Sequence, residues 1–437
     1  MKPCRGLVSL ASAATLPKSC DVAVVGAGAA GLAAAIFARR LNRARSVVVL
    51  DGARRPGAKI LVSGGGRCNV TNAIVTERDF WGGPRTIVRN VLRAFPVRET
   101  VAFFRNAGVV LHEEAGGKLF PDTNRARDVL DALLGEAASA GVVVAGGHRV
   151  REVERSGAAF RVATDSGALA ATAVVLATGG QSLPKTGSDG AGLAIAHALG
   201  HSIVPTTPAL VPLVLDPQTS IHRELSGVSH DAELAVRVDD VVGARLRGAL
   251  LWTHFGVSGP AALDASRHWL RARLEGKRAA LSASLCPQRQ FVDVDSHWQQ
   301  HARQKPRTTV QTMLAAMLPA AVASAILTRL AIAGDTALAH FPREARRHLA
   351  RALVEWPLPV IDSRGYTYAE ATAGGVALTE IDPATMASRM CPGLWIVGEM
   401  LDVDGRLGGF NFQWAWSSGF VAGRALARWG GVASLPD

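Results

Sequence analysis

The sequence predicts an α/β protein whose main domain is discontinuous, interrupted by an inserted small β-barrel and a helical subdomain. Three observations predict this. Near the start, the apolar β-branched run Val22 to Val25 passes directly into Gly26, Gly28 and Gly31, spaced G-x-G-x-x-G, and then into an alanine-rich helical stretch. That strand–turn–helix order is Rossmann-like. From about Val204 the texture changes to short alternating segments punctuated by proline and glycine, as in antiparallel strands. Near the end, Leu394-Trp-Ile-Val397 reads as a buried strand, and a Gly-Gly turn leads into a long helix, so the tail resumes the style of the head.

Each glycine of the first turn has a physical task. Gly26 lets the chain turn sharply out of the strand. Gly28, with no Cβ, lets a pyrophosphate approach the backbone, and Gly31 lets the helix lie close on the sheet. The helix N-terminus at Ala29 and Ala30 then offers free N–H groups to phosphate. A second apolar run, Val47 to Leu50, ends in Asp51, placed to accept a hydrogen bond from a ribose hydroxyl. This unit binds a dinucleotide, and by itself it does not separate NAD from FAD.

Next comes Leu61-Val-Ser-Gly-Gly-Gly-Arg-Cys-Asn-Val-Thr-Asn72. Gly64, Gly65 and Gly66 would ruin a helix or strand, so backbone here is expected to run close against a ligand. Ser63 adds a small hydrogen-bonding group, and Arg67 is suited to phosphate or to a ring carbonyl. Helices are expected around Arg85 to Arg93, Arg98 to Ala107 and Asn124 to Ala140, the last capped by Asn124. Strand-like runs follow at Val142 to Val144, around Val150, at Phe160 to Ala163 and at Ala173 to Ala177. The last ends in Thr178-Gly179-Gly180, a tight turn returning to the sheet mouth. Gly187-Ser-Asp-Gly-Ala-Gly192 resembles a second phosphate loop, but no buried strand leads into it and no second acid follows, so no separate NAD(P) domain is expected. The expected partition is 21–200 for the first part of the dinucleotide domain, 201–286 for the barrel, 287–353 for the helical insert, 354–376 for return strands of the barrel and 377–437 for the second part.

The tail decides the cofactor. Gly398-Glu399 sets an acid at a strand end, where it can hold a ribitol hydroxyl. The helix start at Gly409-Phe410-Asn411-Phe412 can point its dipole at the pyrimidine edge of a flavin. A nicotinamide needs no such second region, so the expected cofactor is FAD, with Arg67 available to a flavin carbonyl.

Composition narrows the partners. A formal charge of +12 is spread along the chain with no dense basic block, which speaks against a nucleic-acid arm and suits an anionic cofactor or substrate. Five separated cysteines without a C-x-x-C exclude a disulfide framework and a zinc site, and fit a reducing cytoplasm. No metal centre is expected. The apolar stretch Met313 to Ala333 is broken by Pro319 and Arg329, so no membrane span is expected, and residues 1–20 read as a disordered leader.

The runs LVSGGGRCNVTN, LATGGQSLPKTGSDGAGLAIAHALGH, THFGVSGPAAL, TAGGV and GEMLDVDGRLGGFNFQWAWSSGFVAG resemble bacterial FAD-dependent oxidoreductases of the BaiN/aminoacetone-oxidase type. The resemblance implies a two-part FAD domain, an inserted barrel and a helical insert. It implies cofactor contacts at Gly26, Gly28, Gly31, Asp51, Arg67, Gly179, Gly398, Glu399 and Gly409 to Phe412; Ala29, Ala30, Ser63, Gly64, Gly65, Val150 and Thr178 complete the expected set. Asp51 stands where the family usually carries glutamate, and Phe410 where tyrosine is common. The expected activity is hydride transfer between flavin and a small-molecule substrate or NAD(P)H, either as an oxidase or as a reductase with NAD(P)H as transient donor, and flavin carries the chemistry. His254, in a polar turn of the barrel, is the first acid/base candidate, and Cys68, beside the triple glycine, is the second. Arg364 can anchor an anionic substrate. The alternative is an RNA-associated or redox-sensing flavoprotein without small-molecule turnover.

Overall fold

The computed structural model describes residues 16–430, and the chain divides into two units. Most of the expected leader, residues 1–15, lies outside the described residues. Unit 1 comprises the chain up to Thr206 and from Glu370 onward; unit 2 is Thr207–Ala369.

Unit 1 is built on β1 (Ser19–Val25), α1 (Ala29–Leu41), β2 (Val47–Asp51), α2 (Ala58–Gly66), β3 (Val143–Gly146), β4 (Val150–Ser156), β5 (Ala159–Thr164), β6 (Gly167–Leu176) and α3 (Ala191–Ala198). The sheet order is β3-β2-β1-β6-β5-β4, and the strand Leu394–Ile396 also pairs with β6. β3, β2, β1, β6 and Leu394–Ile396 run parallel, whereas β5 pairs antiparallel with both β6 and β4. Val22, Ala23, Val24, Val25, Val47, Val48, Val49 and Leu50 are all buried, as a strand covered on both faces requires. Because β1 and Leu394–Ile396 flank β6, the two ends of the chain build one sheet.

The tail helix Phe410–Arg428 is held on α1 by missing side chains. A Cβ on Gly419 would stand 2.6 Å from the Ala30 carbonyl oxygen, and one on Gly423 would stand 2.6 Å from that of Ala34. Gly and Ala at these positions let the two backbones approach closely.

Three local expectations are corrected. A hairpin, Leu111–Glu114 with Lys118–Pro121, stands between the second and third expected helices. The third of these helices begins at Ala126 with Arg125 as N-cap, and Asn124 is in the left-handed region at φ 52°. Ala371–Val376, expected among the barrel's return strands, belongs to unit 1. Its six residues are all buried; a Cβ on Gly374 would lie 2.5 Å from the Pro205 carbonyl oxygen and one on Gly375 2.5 Å from that of Met400. Only glycine fits those contacts.

Unit 2 carries β7 (Leu213–Leu215), β8 (Ser229–Val238), β9 (Val241–Thr253), β10 (Gly256–Ser258), α4 (Gly259–Leu274), β11 (Ala279–Ser284), β12 (Trp356–Leu358) and β13 (Val360–Ser363). The order is β12-β11-β8-β9-β10-β7-β13, with every neighbouring pair antiparallel. The two edge strands are separated in sequence only by Pro359, so the sheet must curl until its edges meet, as in a barrel. Helices at Phe291–Gln304, Val310–Ala315, Ala320–Arg329 and Arg343–Val354 share its core through Val294, Trp298, Leu314, Ile326 and Leu349. Among the described residues no helix is long and apolar enough to cross a membrane, and no cluster of His, Cys, Asp or Glu is arranged to hold a metal ion.

Candidate cofactor and active site

The three glycines after β1 behave differently. Gly26 has φ 105°, and a Cβ there would collide with the Ala177 carbonyl oxygen at 2.5 Å; a Cβ on Gly31 would meet the Gly26 oxygen at 2.0 Å. Both are packing requirements. A Cβ on Gly28 would meet no protein atom within 4 Å, and no side chain caps α1, whose N-cap is Gly28. The open face of Gly28 and the uncapped helix start at Ala29 and Ala30 form a cradle suited to an anionic phosphate group.

Asp51 stands at the end of β2 beside this cradle. Its Oδ2 accepts from Ala27 N–H and its Oδ1 from Ala53 N–H, each at 2.8 Å. Burial raises its pKa, against the two N–H bonds, which favour the charged form. Each oxygen keeps a lone pair for a hydroxyl. His148 N–H donates to the Asp51 carbonyl at 2.8 Å, which brings the segment before β4 alongside; Val150 itself is buried.

Thr178 and Gly179 follow β6, where Ala177 N–H donates to Val25 O at 2.9 Å. The loop before α3 folds onto them: a Cβ on Gly179 (φ 79°) would lie 2.7 Å from Ser188 Oγ, and one on Gly192 1.9 Å from Thr178 Oγ1. The loop that resembles a second phosphate site is thus packed against the β6 turn. Ser188 Oγ and Asn69 Oδ1 are both buried without a protein hydrogen-bond partner.

The tail closes on the head. Gly398 has φ 71°, its N–H donates to Ser418 Oγ at 3.1 Å, and its carbonyl accepts from Trp414 Nε1 at 3.0 Å. Glu399 is not a free acid. Its Oε1 accepts from Ser182 Oγ at 2.7 Å and from Thr372 N–H at 2.9 Å, while Lys59 Nζ is ion-paired to Oε2 and donates to Ser182 Oγ at 2.5 Å. The expected ribitol contact of Glu399 therefore competes with three protein donors.

Gly409 (φ 92°) has no room for a side chain, since a Cβ would sit 2.4 Å from the Thr71 carbonyl. It opens the tail helix without a side-chain cap, so the first N–H groups, at Phe410, Asn411 and Phe412, remain available. Phe410 is buried against Phe80, and Phe412 stacks on Trp416 at 5.6 Å between centroids. The Asn411 amide is spent on Gly405, accepting from its N–H at 2.7 Å and donating to its carbonyl at 3.0 Å. Behind the turn, buried Gln413 accepts from Thr71 Oγ1 at 2.7 Å and Thr100 Oγ1 at 3.0 Å and donates to Phe95 O at 2.9 Å.

The triple-glycine segment breaks the helix as its glycines predict, and its side chains are engaged by the protein. Ser63 leaves the helix (ψ 147°) and donates to the Ile60 carbonyl at 2.8 Å, and Gly64, Gly65 and Gly66 are all left-handed. Arg67 pairs through one terminal nitrogen with Glu114 of the unexpected hairpin at 2.7 Å and lies over the Phe120 ring at 4.0 Å. Cys68, the second catalytic candidate, is fully buried, and burial pushes its thiol up to about 12. A thiol held protonated and out of solvent is no nucleophile or acid/base, so it leaves the candidate list.

His254 is exposed in the turn between β9 and β10, with its ring 5.1 Å from Phe255. Lys59, Ser182 and Thr372 are site residues that sequence reasoning missed. Ser182 and Thr372 lie inside the runs LATGGQSLPKTG and TAGGV and Lys59 lies outside any such run, yet nothing local marks their side chains, and only the fold brings them to Glu399.

A family model described as the HI0933-like protein Rossmann domain matches residues 20–425. The chain belongs to the HI0933-like family. This agrees with the family resemblance carried by its motifs. The HI0933-like chain is 33% identical over 407 residues to a 3-dehydro-bile acid delta(4,6)-reductase of Clostridium scindens, covering 93% of this chain and 99% of that protein. It is 31% identical over 407 residues to a ribosomal RNA dihydrouridine synthase of Escherichia coli, covering 93% and 98%. Among solved structures, an E. coli quinol fumarate reductase shares the fold at TM-score 0.50 with 14% identity, over 94% of this chain and 70% of that one. The HI0933-like chain is therefore an oxidoreductase-family protein with a Rossmann-type dinucleotide domain.

Proposed function

We propose that this protein is an FAD-dependent reductase that adds hydrogen across a carbon–carbon double bond conjugated to a carbonyl, with NAD(P)H as the transient electron donor. One observation carries the reading. The face of Gly28 is open while the Gly398 and Gly409 turns are bound to the same unit, an extended cradle with a phosphate end and a ring end. The relatives supply the bond type: a delta(4,6)-reductase and a dihydrouridine synthase are both named for saturating such a double bond.

FAD, when bound, supplies the hydride. The residues of this chain do the rest. The N–H groups at Ala29 and Ala30 hold pyrophosphate, Asp51 orients a ribose hydroxyl, and the N–H groups at the start of the tail helix favour negative charge on the adjoining ring. One proton completes the addition at the other carbon, and exposed His254 is the residue proposed to give it. His254→Gln should then lower turnover about 100-fold with flavin content unchanged. Equal turnover would remove His254 from the reaction.

The test is anaerobic. Purified protein should carry flavin absorbance that bleaches with NADH or NADPH and returns on adding a conjugated enone such as a 4-en-3-one steroid. Colourless protein that ignores added FAD would overturn the cofactor. A reduced flavin that recolours in air but with no enone would make it an oxidase.

A second reading takes uridine in ribosomal RNA as the substrate. The formal charge of +12 and the E. coli relative favour it. It requires RNA affinity that falls steeply with salt, each neutralised phosphate adding about 0.7–0.9 to the slope of log affinity on log salt. No binding at low salt would dismiss it.

A further inference from the structure

We propose that Arg364 of unit 2 is an oxyanion-recognition site, taking a carboxylate or a phosphate. This rests on the reductase reading for its role, though not for its chemistry.

The geometry follows from a short sequence, Ser363-Arg-Gly-Tyr-Thr-Tyr368. β7 lies between β10 and β13, with Leu213 paired to Val257 on one side and to Ser363 on the other. Arg364 N–H donates to Pro212 O at 3.0 Å, so the arginine leaves the edge of β13 still fixed to the barrel. Gly365 then takes φ 65°, a left-handed value that turns the chain into the single helical turn Tyr366–Tyr368. That turn folds Tyr368 back onto Arg364.

The guanidinium carbon consequently lies 3.9 Å from the Tyr368 ring centroid and 4.5 Å from that of Phe255. Two aromatic rings hold one planar cation. Such contacts fix the plane of the guanidinium while leaving its in-plane N–H fork unused. Among the described residues no carboxylate pairs with it. Arginine elsewhere in the chain commonly has one: Arg237, Arg245, Arg278 and Arg346 of unit 2 are all ion-paired. Arg364 is half-buried, so its charge is partly desolvated and still reachable.

A second polar group lies by the same turn. His222 is 1% exposed, its Nδ1 has no partner, and its ring interacts electrostatically with His254, the residue before Phe255. A rotationally fixed, unpaired fork is the arrangement that recognises a two-oxygen anion bidentately.

The chain has only two tyrosines, Tyr366 and Tyr368, and both belong to this turn. Protein labelled with 3-fluorotyrosine should therefore give two fluorine resonances, both reporting on the proposed site, with Tyr368→Phe assigning them. Titration with benzoate and, separately, with inorganic phosphate should shift the Tyr368 signal saturably in at least one arm, and the arm that saturates names the oxyanion. Arg364→Gln should abolish the shift. Arg364→Lys, which cannot present the fork, should weaken binding about tenfold or more. No saturable shift with either anion, or the same shift in Arg364→Gln, overturns the proposal. An unchanged flavin spectrum in both variants shows that the fold is intact. Because the titration needs no turnover, a positive result beside inactive enone assays would sink only the reductase reading.

Discussion

A Cβ on Gly398 would lie 2.7 Å from the Ala30 methyl, so the end of the tail strand touches the first turn of α1. The phosphate cradle and the turn at Gly398 are thus one continuous surface, and substitutions in the first loop can be sorted by what each glycine faces.

Gly28→Val puts its side chain where there is no protein atom, and the extended φ of −85° at this position tolerates it. Unfolding in urea should cost about 1 kcal/mol less, the difference between Gly and Val at an N-cap, while flavin is lost. Gly31→Val meets a carbonyl oxygen at 2.0 Å and should yield no folded protein. Normal flavin content in Gly28→Val would mean that the pyrophosphate lies elsewhere.

Glu399 separates charge from hydrogen bonding. Glu399→Gln keeps an oxygen for Thr372 N–H and Ser182 Oγ but loses the Lys59 ion pair. Glu399→Ala leaves Thr372 N–H unpaired and removes the carboxylate from Ser182 and Lys59, which keep only each other. Urea denaturation should rank wild type above Glu399→Gln above Glu399→Ala, with about 2–3 kcal/mol lost in the last. Equal stabilities for the two variants would show that the carboxylate does not organise this turn.

Cys68 should resist thiol reagents in folded protein at pH 8 and react once urea exposes it. Cys68→Ser should retain flavin and turnover. Rapid native labelling, tracked by peptide mass, would contradict its burial.

His268, in α4, gives unit 2 a pH dependence. Burial, with Arg267 adding to it, lowers its pKa from 6.5 to about 4. Below pH 6.5 the unfolded chain takes up a proton that the folded protein refuses. Stability is therefore full above about pH 6.5 and falls as the pH drops toward 4, by on the order of 3 kcal/mol. Unfolding of His268→Phe should lack that part of the slope; an identical slope would assign it to other groups.

What could be read from the sequence was whatever is local. Gly26, Gly28 and Gly31 announce themselves because a missing side chain constrains its own few residues, and the alternation of β8 and β9 marks strands without help from neighbours. The Lys59–Glu399 pair and the Gln413 network join residues far apart in the chain, and although Glu399 and Gln413 lie in the tail motif, nothing local names their partners. The hairpin at Leu111–Glu114 escaped notice because its strands are only four residues long, with His112-Glu113-Glu114 of the first giving no apolar alternation. It also supplies Glu114, the partner of Arg67. The segment Ala371–Val376 reads as strand in either unit; its two close carbonyl contacts, which assign it to unit 1, come from Pro205 and Met400.

The glycine-lined seat of the tail helix on α1 also sets an order of events during synthesis. All of unit 2 leaves the ribosome before the residues that cover α1 have been made. The barrel can therefore mature while the first domain still waits, its alanine-rich helix uncovered, for the final stretch of chain to arrive. A ribosome that stalls after residue 369 would release a finished insert attached to an open, aggregation-prone host, which makes the last helix the step that commits the whole protein to its native state.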